Sequence, residues 1–101
     1  VLLAPPVRWS TEADLDRWAA TGRPLSVLVP EHDDFLRPEQ ARPRFARIPQ
    51  ATVVTVPDGR HLLIGERYVK IVLDHVVRQI APAFAPLPTQ WNGPMETWSV
   101  L

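Results

Sequence analysis

Residues 26–38 read Ser-Val-Leu-Val-Pro-Glu-His-Asp-Asp-Phe-Leu-Arg-Pro and join an apolar run to a charged loop. The run at 26–29 does not alternate between polar and apolar residues, which is typical of a strand buried on both faces of a parallel sheet. Three acidic residues and a histidine follow it, at Glu31–Asp34. Because ligands of open α/β sheets bind beyond the carboxyl ends of the strands, we expect this loop to carry the chemistry.

Helices and strands alternate along the rest of the chain. Short connections and right-handed crossovers then predict an α/β fold with a three-stranded parallel sheet in sequential order. Two crossover helices should cover one face, which leaves the other face for the last helix. The predicted strands are 1–4, 26–29 and 51–56, and the predicted helices follow Thr11, begin at Pro38 and span 67–80.

Local signals support the first two helices. Thr11 and Asp14 have the spacing of a capping box, and Gly22 can end the first helix in a left-handed conformation. Pro38 suits the first turn of the second helix. Pro43 falls inside that helix, so we expect it to be short or broken.

Composition limits the classes of function. The 101 residues suffice for one domain, and 11 basic against 11 acidic residues argue against a nucleic-acid-binding protein. The absence of cysteine favours a cytoplasmic location, and no apolar run approaches the roughly 18 residues of a membrane span. We assign residues 1–81 to the α/β region and 82–101 to a tail rich in proline and tryptophan. A polyproline recognition segment is an alternative for the start of that tail.

Asp34 and His61 lie in the loops that follow two successive predicted strands. Adjacent parallel strands bring both loops to one edge of the sheet, where Asp34 could fix the tautomer of His61 and stabilise its imidazolium. Such an arrangement is the acid–base half of a nucleophilic triad. The alternative is a metal site formed by His32, Asp34 and His61.

Several segments resemble the α/β-hydrolase superfamily. Residues 27–38, Val-Leu-Val-Pro-Glu-His-Asp-Asp-Phe-Leu-Arg-Pro, resemble the segment that carries the triad acid. Residues 53–62, Val-Val-Thr-Val-Pro-Asp-Gly-Arg-His-Leu, resemble the segment that carries the triad histidine. Residues 61–67 are similar to the lead into the last helix of that family, and residues 2–6 are similar to the strand end before its lid.

The resemblance covers residues 1–80 and implies the C-terminal part of a serine hydrolase. It implies Asp34 as the triad acid, His61 as the general base and Asp33 as a neighbour that tunes or caps the loop. The implied substrate is a small acyl ester or thioester, and neither a cofactor nor a metal is expected. Glu31 and Arg60 depart from the family pattern, which often has Gly and a small residue there.

The nucleophile of that family is missing from the sequence. No Gly-x-Ser-x-Gly elbow is present, and the only serines are Ser10, Ser26 and Ser99. We therefore expect the nucleophile upstream of Val1 and no activity from these 101 residues alone. The first strand should pair with the absent part of the fold or with a second copy of the chain. A non-catalytic interaction module on the same scaffold is the alternative.

Overall fold

A three-stranded parallel sheet with three helices makes up residues 1–90, the part of the chain that the computed structural model describes. The predicted α/β class, strand order and parallel pairing are confirmed. The strands are β1 (Leu2–Leu3), β2 (Leu25–Pro30) and β3 (Ala51–Val56). The helices are α1 (Glu12–Thr21), α2 (Pro38–Phe45) and α3 (Glu66–Ile80), with 3-10 turns at Val7–Trp9 and Pro82–Phe84.

The sheet has the order β1-β2-β3, with β2 in the centre. The six residues of β2 pair in register with β3, from Leu25 opposite Ala51 to Pro30 opposite Val56. β1 is shorter than predicted, because the chain turns at Ala4, whose φ is 41°. Since all three strands are parallel, the loops after β2 and β3 leave the same edge of the sheet.

The predicted capping box and glycine helix end of α1 are present, and α2 is short as predicted. Thr11 Oγ1 accepts the N–H of Asp14, and Asp14 Oδ2 accepts the N–H of Thr11, which completes the capping box. Gly22 ends α1 with φ 65°, in the left-handed region. α2 is short but runs unbroken through Pro43. The helix has eight residues. Pro43 lies near its carboxyl end and has no N–H, so one hydrogen bond of the helix is lost there.

The hydrophobic core lies between the sheet and helices α1 and α2. Ser26 and Thr52 alternate with the core residues along β2 and β3, so their side chains lie on the other face of the sheet. Because α3 borders these two residues, it covers the face opposite to α1 and α2. No residue of α3 is fully buried, and its apolar residues Val69 and Leu73 are 51% and 45% exposed. The core consists of Leu15, Leu25, Val27, Val29, Leu36, Ala41, Phe45 and Ile48.

The predicted tail is described only as far as Gln90, and residues 91–101 lie outside the described part of the chain. Its start forms a 3-10 turn at Pro82–Phe84 and is held to α3 by the N–H of Leu87, which donates to Asp74 Oδ1 at 2.9 Å. The assignment of a polyproline recognition segment stays a prediction. Within residues 1–90, no helix combines the length and apolar character needed to cross a membrane.

Candidate active site

The loops after β2 and β3 are joined by hydrogen bonds. The N–H of His32 donates to the carbonyl of Gly59 at 2.9 Å, and the N–H of Asp58 donates to Glu31 Oε2 at 2.8 Å. Gly59 allows this close approach, because a Cβ there would lie 3.3 Å from the Cβ of Pro30 at the end of β2 and 3.0 Å from Leu63 Cδ2 in its own loop. The two loops therefore form one connected surface at the carboxyl edge of the sheet.

Asp33 and His61 meet across this edge. His61 Nδ1 lies 2.8 Å from Asp33 Oδ2. The other oxygen of Asp33, Oδ1, accepts the N–H groups of Phe35 at 2.7 Å and Leu36 at 3.0 Å. The Asp33 side chain is 1% exposed and the His61 side chain 37% exposed. Asp33 is thus a buried carboxylate with both oxygens occupied, and it fixes a histidine that faces solvent.

The predicted contact between Asp34 and His61 is wrong by one residue. The two backbone N–H groups that Asp33 accepts turn its carboxylate inwards under the histidine, whereas the side chain of Asp34 is exposed. Asp34 borders a second cleft with Arg60 and Tyr68; His61 also lines this cleft, and its hydrogen bond is with Asp33. The role expected of Asp33, to cap the loop, is present, and the same residue also holds the histidine.

Two opposing effects act on the pKa of Asp33. Burial raises the pKa of this carboxyl, while the hydrogen bonds from His61, Phe35 and Leu36 and the charge of His61 lower it. The lowering effects win, so the pKa lies below the ordinary value and Asp33 is ionised at neutral pH. Because a carboxylate only accepts hydrogen bonds, Nδ1 of His61 carries the proton in this contact. The second ring nitrogen, Nε2, is then the basic one in the neutral imidazole.

The lowered pKa of Asp33 predicts acid sensitivity of the fold. The carboxyl has a lower pKa folded than unfolded, so its contribution to the free energy of unfolding is present above about pH 4 and is lost as the pH falls through the folded pKa. Urea unfolding from pH 7 down to pH 2 should show a smaller loss of stability for Asp33→Asn than for the wild type. Asp34→Asn is the matched control and should keep the wild-type dependence. Identical pH profiles for Asp33→Asn and the wild type would contradict this linkage.

An aromatic ring and a cleft surround the histidine. The Phe35 ring packs edge-on against His61, with centroids 4.7 Å apart and planes at 62°. None of the described residues forms a hydrogen bond with Nε2 of His61. A cleft of about 140 Å³ opens beside the pair, bordered by residues 4–8 of the chain as well as by Asp33, Phe35, Leu36 and His61. The pair is therefore accessible to a small molecule.

The alternative of a metal site at His32, Asp34 and His61 is not supported, because these three residues are not the group whose ligand atoms come together. Within the described part of the chain, the group that could share an ion is Glu31, His32 and Asp58, whose ligand atoms lie within 4.8 Å of one another. All three are exposed, and Glu31 already accepts the N–H of Asp58. Asp33 holds Nδ1 of His61 and leaves it no lone pair there for a metal.

The site contains no serine from the part of the chain that the structure describes. Ser26 lies near the amino end of β2, opposite to the edge that carries His61. Ser10 follows the 3-10 turn at Val7–Trp9, and its carbonyl accepts a hydrogen bond from Arg44. Ser99 lies outside the described residues. Asp33 and His61 are thus paired at the carboxyl edge of the sheet, and no serine of the described residues lies beside them.

Comparison of the chain with family models, with curated proteins and with solved structures finds no match. The geometry of Asp33 and His61 therefore stands as the main observation on function.

The sequence prediction missed Asp33 and Phe35 as site residues. A signal for Asp33 was available, since aspartates often accept the N–H two or three residues further on and so turn towards their own loop. The pair Phe35 and Leu36 occupies those positions. No comparable sequence signal pointed to the contact between Phe35 and His61, which depends on the path of two separate loops.

Proposed function

We propose that this chain supplies the acid and the general base of a serine hydrolase of the α/β-hydrolase type, with Asp33 as the acid and His61 as the base. The observation that carries the proposal is the 2.8 Å contact between Asp33 Oδ2 and His61 Nδ1 beyond adjacent parallel strands. A buried carboxylate on Nδ1 with an accessible second nitrogen is the arrangement that a nucleophilic triad requires. The resemblance of residues 1–80 to the family adds the same order of strand, acid, strand and histidine.

In the proposed reaction His61 transfers protons and Asp33 stabilises the charge. Nε2 of His61 takes the proton of a serine hydroxyl as its oxygen attacks the acyl carbon, and it then gives that proton to the leaving alcohol or thiol. Water repeats the cycle on the acyl-enzyme and releases the acid. Asp33 remains ionised throughout and stabilises the imidazolium, as its lowered pKa allows.

The nucleophile in this proposal comes from outside residues 1–101, on a strand that pairs with β1. β1 contacts β2 on one side, and its other edge has no strand partner among the described residues. Leu2 and Leu3 are 39% and 47% exposed, which is unusual for apolar residues of a strand in a sheet core. A parallel strand added at this edge would bring the loop that follows it to the same edge of the sheet as Asp33 and His61. Small acyl esters or thioesters are the proposed substrates.

Labelling with a serine-directed fluorophosphonate tests the proposal. The full-length polypeptide that contains this chain should be labelled, and His61→Ala should abolish labelling because the serine loses its base. His75→Ala, at a half-buried position of α3 near the amino ends of β2 and β3, is the matched control and should be labelled like the wild type. The 101 residues alone should hydrolyse 4-nitrophenyl acetate no faster than free imidazole does. Labelling that survives His61→Ala would overturn the assignment of the base.

A non-catalytic interaction module is the second candidate, and the exposed apolar residues favour it. Leu62, Ile64 and Val69 are 74%, 77% and 51% exposed around the start of α3. Such a patch suits contact with another protein surface. A full-length polypeptide that resists the fluorophosphonate and hydrolyses no ester, yet binds a partner through this patch, would support the module in place of the enzyme.

A further inference from the structure

The cleft beside the Asp33–His61 pair has one cationic side chain, that of Arg8. Its remaining walls are mostly apolar, and its only acidic residue is Asp33. Both oxygens of Asp33 are already occupied, by His61 and by two backbone N–H groups. The cleft therefore offers a molecule one basic ring and one cation.

Arg8 is held at the cleft by its own turn and by aromatic rings. Arg44 Nη2 donates to the carbonyls of Val7 at 2.9 Å and Ser10 at 2.7 Å, which fixes the turn that carries Arg8 to helix α2. The Arg8 guanidinium carbon lies 5.6 Å from the centre of the Phe35 ring, whose other contact is His61. A single aromatic ring thus separates the guanidinium from the imidazole.

The charge of Arg8 is not neutralised by the described residues. No carboxylate between residues 1 and 90 forms an ion pair with it, whereas Arg67 lies 3.7 Å from Asp58 and Arg17 lies 3.4 Å from Asp14. Arg60 borders a second cleft, which His61 also lines and which contains both Asp34 and Asp58. Of the arginines beside His61, Arg8 is the one whose cleft has no free acid.

We propose that Arg8 selects acyl substrates that carry a carboxylate on the acyl group. This inference rests on the proposed hydrolase function. A guanidinium binds a carboxylate through two parallel N–H groups, and its stacking on Phe35 and Trp9 leaves its N–H edge available for that contact. The acyl carbon would lie at His61 while the distal carboxylate lies at Arg8. The substrate class is therefore the monoester or monothioester of a short dicarboxylic acid.

Paired esters test the selection in the full-length polypeptide. The ratio of kcat/KM for 4-nitrophenyl hydrogen succinate to that for 4-nitrophenyl butyrate should fall about tenfold in Arg8→Gln, the size of effect expected for one charge-assisted contact. Arg60→Gln is the matched control and should keep the wild-type ratio, since Asp34 and Asp58 border its cleft. An unchanged ratio in Arg8→Gln, with hydrolysis intact, would overturn the selection and leave the hydrolase function standing.

A binding measurement separates this inference from the function on which it rests. Monomethyl succinate, titrated into the same polypeptide, should shift the NMR signals of the Arg8 Nε–H and the His61 ring in a saturable way, and Arg8→Gln should abolish the effect. Methyl butyrate should produce no such shift. Arg8-dependent binding without ester hydrolysis would support the anion site and overturn the hydrolase. Shifts that are absent, or equal in Arg8→Gln, would overturn the anion site whether or not esters are hydrolysed.

Discussion

Asp33→Asn should lower the turnover of the proposed hydrolase by about 10⁴-fold, the precedent for this change in a serine protease triad. The reason lies in the hydrogen bonds of Asp33. Its Oδ1 accepts two backbone N–H groups, so the carbonyl oxygen of an asparagine would take that position and leave the amide N–H facing His61 Nδ1. An N–H there requires Nδ1 to accept, which places the proton on Nε2. The nitrogen that should act as the base would then carry the proton itself.

Asp34→Asn is the matched control for this prediction, because it makes the same chemical change one residue away on an exposed side chain. It should leave kcat/KM within about twofold of the wild type. Thermal unfolding of both variants shows whether either has lost its fold. A large loss of kcat/KM in Asp34→Asn, together with a near-normal kcat/KM in Asp33→Asn, would contradict the pairing of Asp33 with His61.

Phe45→Ala should lower the free energy of unfolding by about 3–5 kcal/mol, the usual cost of removing a buried aromatic ring. Phe45 is 2% exposed and packs in the core between α2 and the sheet, in the same cluster as Leu36 and Ile48. Small domains have about 5–15 kcal/mol in total, so this change removes a large fraction of the stability. Leu36 donates its N–H to Asp33. Loss of the core packing beneath Leu36 should therefore also loosen the loop that carries Asp33.

Phe35→Ala is the control for Phe45→Ala, since it deletes the same ring from a position that is 65% exposed. Urea unfolding should show a loss below about 1 kcal/mol for Phe35→Ala. Equal losses for the two variants would mean that the core does not lie where the burial of Phe45 places it.

The helices and strands could be predicted from the sequence because the residue patterns that specify them are local. Thr11 and Asp14 specify a helix start by their spacing, and the β-branched run Ala51–Val56 specifies a strand. Prolines at Pro38 and Pro43 predicted a short helix correctly. The order of these elements then limits the sheet to very few topologies. The extent of β1 was overestimated, because the chain turns at Ala4 with a φ of 41°, a conformation that alanine rarely adopts and that its residue type does not predict.

The site followed from the sequence only in part. His61 and the acid loop were placed at the correct edge of the sheet, because adjacent parallel strands bring their following loops together. The choice between Asp33 and Asp34 depends on which carboxylate accepts the N–H groups of Phe35 and Leu36, a matter of one residue in a turn. The position of Arg8 at the site could not be predicted from the sequence. Its approach to Phe35 depends on the packing of the turn at Val7–Trp9, which is distant from Phe35 along the chain.

The central claim is that Asp33 pairs with His61 and fixes its tautomer. The position of the proton on the His61 ring tests this claim most directly. Long-range ¹H–¹⁵N correlation NMR of the 101-residue chain, recorded above the pKa of histidine, distinguishes a protonated Nδ1 from a protonated Nε2 without any need for a nucleophile. The Asp33 contact predicts a proton on Nδ1 in the wild type and in Asp34→Asn, and a shift of the proton to Nε2 in Asp33→Asn. A wild-type ring that carries its proton on Nε2, or a tautomer that Asp33→Asn does not change, would contradict the pairing of Asp33 with His61.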